Sequence, residues 1–277
     1  MLSDPRTETL IKVTTSNYET SPFYKALSTA LAQRGISVTD ICPPHDQMAR
    51  RVLHDYGAMF VAHEMVTPPP VCVFSAEDDV NEFQARAGYE AATIDDAVIE
   101  LQPAATQALL QARAAAHKEG LDITPRDGAE AARRNYADTV RLWNSRFLPA
   151  LAYWINLGRL DEEQAQRLRR LPINQQVAEV LELEEEGIFF SKDFSKSVLY
   201  SIAAPGTSQH IAMLAFDANE FMDERVRSIL AQHGWFQTVL SDLPHFTFLG
   251  LKEKDLPARG LKGAEVHGHK FWIPDIG

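Results

Sequence analysis

Ser208-Gln209-His210-Ile211-Ala212-Met213-Leu214-Ala215-Phe216-Asp217, followed downstream by Asp242-Leu243-Pro244-His245, decides how this chain is read. His210, Asp217 and His245 can offer two imidazoles and a carboxylate to one zinc ion. Three protein ligands leave a fourth position for water, the pattern of a catalytic rather than a structural site. Asp242, three residues before His245, can take a proton from that water. In a strand over residues 211–217, Met213, Ala215 and Asp217 share a face because side chains alternate. His210 then sits where loop becomes strand, and a bend over residues 241–245 brings Asp242 and His245 to the same end. This donor set suits Zn2+ and would accept other divalent ions.

Outward from this stretch, residues 235–240 and 246–249 read as strands, and Asp223 caps a helix that Gly234 ends. Residues 266–273 read as a last strand. Upstream, residues 22–34, 48–56, 102–118, 129–144 and 161–183 carry helix signals, and Ser75 marks a further helix start. Residues 36–41, 59–62, 71–74, 188–190 and 198–202 read as short strands. Helices followed by a hairpin-connected sheet predict an α+β fold, a helix-rich N-terminal part packed on a mainly antiparallel sheet that carries the zinc site.

The 277 residues, 45% hydrophobic and 23% charged, suffice for a full core. The net charge of −11 argues against a nucleic-acid partner, and no apolar run reaches the ~18 residues of a membrane span. Cys42 and Cys72 read as two small core residues rather than a disulfide pair. Residues 1–7 lack a basic-then-apolar leader. Either the protein works in the cytosol, or a targeting segment has been removed and it works in the periplasm or outside the cell. His267 and His269 read as exposed strand residues that could reach the site. His45, His54, His63, His117 and His233 have no partner at ligand spacing. There is no Ser-x-x-Lys, His-Glu-x-x-His or phosphate-binding glycine motif.

His-x6-Asp followed by acid-x-x-His, preceded by Pro205-Gly206-Thr207-Ser208, resembles the zinc D-alanyl-D-alanine carboxypeptidases and dipeptidases, which have a hedgehog-like metallopeptidase fold. The likeness covers roughly residues 104–250: a helix ending at Gly120, the strand-like residues 121–124, an arginine-bearing element, then the loop. It implies a single domain in which residues 1–90 form an extension on a metallopeptidase-like core over residues 91–277. It also implies zinc on His210, Asp217 and His245, Asp242 as general base, Ser208 near the substrate, and a cell-wall peptide as the partner that is cut.

Three departures stand out. Met213 occupies the family's glycine position. Asp242 replaces a glutamate and is shorter by about 1.5 Å, one carbon–carbon bond. The family's arginine motif is missing, so its role falls to Arg126, Arg133 or Arg134, with Arg134 preferred. These changes leave two alternatives open: a binding or scaffold protein descended from the same fold, and a zinc hydrolase of another amide.

Overall fold

The computed structural model describes residues 20–43 and 46–276. The readings of residues 1–7 and His45 fall outside them.

Ser21 caps α1 (Pro22–Ala32), with Pro22 at a position where its missing N–H costs nothing. Residues 36–41 are not a strand. Ser37 and Asp40 satisfy each other's backbone amides in a capping box, and that local gain makes the single turn α2 (Val38–Ile41). α3 (Gln47–Tyr56) runs into a 3₁₀ turn, Gly57–Val61, which takes up most of a second predicted strand. Residues 71–74 are also irregular. Their amides go elsewhere, Cys72 to the Ile41 carbonyl (2.7 Å) and Phe74 to the Gly206 carbonyl (3.0 Å). Cys42 and Cys72 are joined as a disulfide with Cα atoms 5.3 Å apart, which corrects the expectation of two unpaired core residues. Separation along the chain says nothing about that distance.

α4 (Glu77–Ala87) starts after Ser75, whose hydroxyl turns to Asp79 instead of capping. The hairpin β1 (Glu90–Ile94) and β2 (Ala97–Leu101) leads to α5 (Pro103–Lys118). α6 (Tyr136–Asn156) begins later than its sequence signal, at the capping box of Asn135 and Asp138. The helix predicted over residues 161–183 is two, α7 (Glu162–Arg170) and α8 (Ile173–Glu185). Pro172 forces Leu171 into extended backbone and divides them. Residues 188–190 form no strand, and residues 198–200 form a 3₁₀ turn. The Glu184 carboxylate accepts the amides of Phe190 and Val198, replacing a ladder.

β3 (Ala215–Asp217), α9 (Glu224–Gln232), β4 (Trp235–Phe236) and β5 (His245–Phe248) follow. β3, β5 and β4 make an antiparallel sheet in that order. The final strand is one arm of a hairpin, β6 (Leu261–Val266) with β7 (His269–Pro274). His267 and Gly268, both with positive φ, form its two-residue turn. The described chain is thus a mixed α+β structure with small antiparallel sheets. One buried cluster joins Phe23, Leu27 and Phe60 to Phe216, Phe246 and Trp272, so residues on both sides of position 90 share a core. A second packs Trp143, Phe147 and Trp154 of α6 against Leu168, Val180 and Phe190.

Candidate metal centre

The segment before β3 is not a strand up to residue 214. Ile211, Ala212 and Met213 donate backbone bonds to Ser208, Gln209 and His210, winding the motif into consecutive turns. These turns aim His210 inward. Met213 closes them at φ 56°, a left-handed conformation that favours glycine. A methionine holds the same bend here, its side chain fully buried. Gly206 has no such latitude, because a Cβ there would lie 2.1 Å from the Phe74 carbonyl oxygen.

Asp217 ends β3 and His245 opens β5, and the two are direct partners in the register. Two ring nitrogens and the two carboxylate oxygens meet. His245 Nδ1 lies 3.1 Å from Asp217 Oδ1, His210 Nε2 lies 3.3 Å from Asp217 Oδ2, and the two ring nitrogens are 3.2 Å apart. The outer nitrogens face carbonyl oxygens: His210 Nδ1 is 2.7 Å from the Ala132 carbonyl, and His245 Nε2 is 2.7 Å from Gln209 Oε1. A backbone carbonyl only accepts, so His210 carries its proton on Nδ1 and presents a lone pair inward. Burial, reinforced by the Arg134 charge, pushes the His210 pKa down to about 4, which keeps the imidazole neutral near pH 7. Burial opposes ionisation of Asp217, but the charge and N–H groups of His210 and His245 in their protonated forms outweigh it and hold the carboxyl well below the ordinary range.

Such a group can bind a divalent ion. With metal–ligand bonds of about 2.0–2.1 Å, a tetrahedral site separates its ligand atoms by roughly 3.3 Å, close to the 3.2 Å between the two ring nitrogens and the 3.1 Å between His245 Nδ1 and Asp217 Oδ1. Among the described residues, these three side chains alone make up a metal-competent group of His, Cys, Asp and Glu.

The other candidates divide. Asp242 sits in the turn before β5, where burial and then the Asp217 charge push its pKa up while His245 opposes them. Arg134 is committed: its guanidinium donates to Asp217 Oδ2 (3.1 Å) and to the Glu130 carbonyl. Arg126 donates its backbone amide to the Asp217 carbonyl (2.8 Å). Its guanidinium, 44% exposed, lies over Phe221 and only 3.8 Å from Asp127. Arg133 points to Gln84 and Glu100 and stacks on Tyr89. The buried Ser208 hydroxyl accepts the His210 amide. His269, expected to be exposed, is buried against Gln237, whose amide donates to the Leu243 carbonyl beside Asp242. It backs the turn, not the metal group. Sequence reasoning missed the Ala132 carbonyl, Gln209 and Thr247. Thr247 carried a signal, as a polar residue between Phe246 and Phe248 beside His245; Gln209, among Thr207, Ser208 and His210, carried none.

A surface depression of about 460 Å3 between Lys25, Thr29, Glu64 and Arg259 contains none of these residues. The chain matches no family model, no curated protein and no solved structure.

Proposed function

We propose that this chain is a zinc-dependent peptidase of the D-alanyl-D-alanine carboxypeptidase type, acting on cell-wall peptides. The observation that carries the reading is the convergence of His210 Nε2, His245 Nδ1 and the Asp217 carboxylate, one ligand atom from each lying within 4.8 Å of the others. Zinc bound there would supply Lewis acidity toward a carbonyl and lower the pKa of a water toward ~7. Asp217 and the two imidazoles hold the position, and Arg134 fixes Oδ2 so that Oδ1 is the freer carboxylate oxygen. Asp242 would accept a proton from the attacking water and return it to the leaving amine. Its raised pKa suits a group that both takes and gives a proton. With Arg134 engaged, the terminal carboxylate of the peptide falls to Arg126, whose exposed fork can pair with it. The Cys42–Cys72 bond favours an oxidising compartment, consistent with a cell-wall substrate.

The commitment of Arg134 to Asp217 also favours a second reading, a zinc hydrolase of another amide that has no carboxylate subsite. Zinc-loaded protein should release D-alanine from a peptide ending in D-Ala-D-Ala, lose that activity to a chelator and regain it with zinc. Full zinc occupancy with no release, but with cleavage of other amides, would replace the first reading with the second. Occupancy with no hydrolysis at all would leave a binding protein.

A further inference from the structure

We infer that Gln209 is a positioning residue that selects which nitrogen of His245 faces the metal position, an inference that rests on the metal reading above. The Gln209 amide is buried and can be oriented in only one way. Its Nε2 lies 3.0 Å from the Tyr56 carbonyl oxygen, which only accepts, so the NH2 group must point there. The Oε1 atom is thereby turned to His245 Nε2 (2.7 Å) and Thr247 Oγ1 (2.6 Å). Thr247 spends its proton on that oxygen and accepts from Thr238 Oγ1 at 2.6 Å. Every polar atom in the chain from Thr238 to Tyr56 is then satisfied, provided that His245 carries its proton on Nε2.

Asp217 pulls the other way. Its Oδ1 lies 3.1 Å from His245 Nδ1 and would accept a proton placed there. An Nδ1 proton would block the atom that faces His210 and would leave Nε2 and Gln209 Oε1 as two lone pairs 2.7 Å apart. Gln209 therefore holds the ring in its metal-binding tautomer against the pull of its own co-ligand. Partners of this kind typically change metal affinity 10–100-fold.

The test uses the full chain with 15N-labelled histidine and 113Cd as the probe ion. In the wild type, 113Cd–15N coupling should appear at His245 Nδ1 and His210 Nε2; coupling at His245 Nε2 would overturn the inference without any variant. Gln209→Leu should weaken Cd2+ binding about 10–100-fold, while Gln209→Glu, which keeps an acceptor toward His245 but loses the donor to Tyr56, should bind Cd2+ more tightly than Gln209→Leu. A purely structural role would lower the melting temperature of both variants and leave the affinity of the folded protein unchanged, which would also overturn it. Absence of Cd2+ and Zn2+ binding in the wild type would instead reject the metal reading itself.

Discussion

Asp217 and His245 face each other directly across β3 and β5, the one closing its strand and the other opening its own, with Oδ1 and Nδ1 3.1 Å apart. The register makes the site. A slip of one residue would turn either side chain to the opposite face of the sheet. His210 reaches the pair from the adjoining turns, and Arg134 closes it from the segment before α6.

Asp242→Asn tests the proton path. The substitution removes the base but none of the three inner donor atoms. Zinc content should match the wild type, and turnover should fall about 10²-fold or more, the usual contribution of a positioned acid–base group. Unchanged turnover would take Asp242 out of the mechanism.

The arginines should separate. Arg134→Ala removes the partner of the proposed ligand Asp217 and should weaken zinc binding by about 10–100-fold, and so lower the cleavage of every substrate at limiting zinc. Arg126→Ala should leave zinc binding intact and lower kcat/KM for peptides with a free terminal carboxylate. A hydrogen bond to a charged group contributes about 1.5–3 kcal/mol, or roughly 10- to 100-fold. Amidated peptides should change little. Equal losses on free and amidated peptides would show that Arg126 does not read the carboxylate.

Met213→Gly sets two effects against each other. A non-glycine residue in the left-handed region costs roughly 1–2 kcal/mol, which the change would relieve. Losing a fully buried methionine side chain costs about 2–5 kcal/mol. The packing term is larger, so thermal denaturation should show a net loss of stability. A raised melting temperature would mean that the strain outweighs the packing.

Asp122 gives an acid-side signature. Burial raises its pKa, but the Arg113 guanidinium, the Ile123 amide and His117 hold it down to about 2. That lies below the ~3.9 of an unfolded aspartate. The folded state therefore binds this proton less readily, and the stabilisation is complete above pH ~4 and lost between there and pH ~2. The stability difference between wild type and Asp122→Asn should be constant near neutrality and should close as pH falls through that window. A difference that widens toward low pH would contradict the sign.

The sequence nominated His210, Asp217 and His245, which the fold brings into one group, and helices such as α1, α5 and α9 were legible because their start signals rest on local spacing. The Asp223 cap and the Pro103 start obey rules that operate within one turn of helix. The short strands were not legible. Residues 71–74 and 188–190 are apolar because they are buried, and burial alone does not fix a ladder; their amides found Ile41, Gly206 and Glu184 instead. The hairpin bend at His267 and Gly268 was missed for want of a strong turn signal, since histidine rarely takes a positive φ. The Cys42–Cys72 bond and the orientation of Arg134 depend on contacts far apart in sequence. Spacing could nominate Arg134, but only the fold shows that its charge is spent on Asp217.

Metal content tests the central claim most directly. Protein purified without chelator, then dialysed against zinc and freed of loosely held ions, should carry about one zinc per chain by elemental analysis. His210→Ala and His245→Ala should carry almost none, and zinc should raise the melting temperature of the wild type alone, because binding to the folded state is linked to stability. Wild-type protein that holds no zinc, or a His210→Ala protein that holds a full equivalent, would contradict a metal centre built on His210, Asp217 and His245.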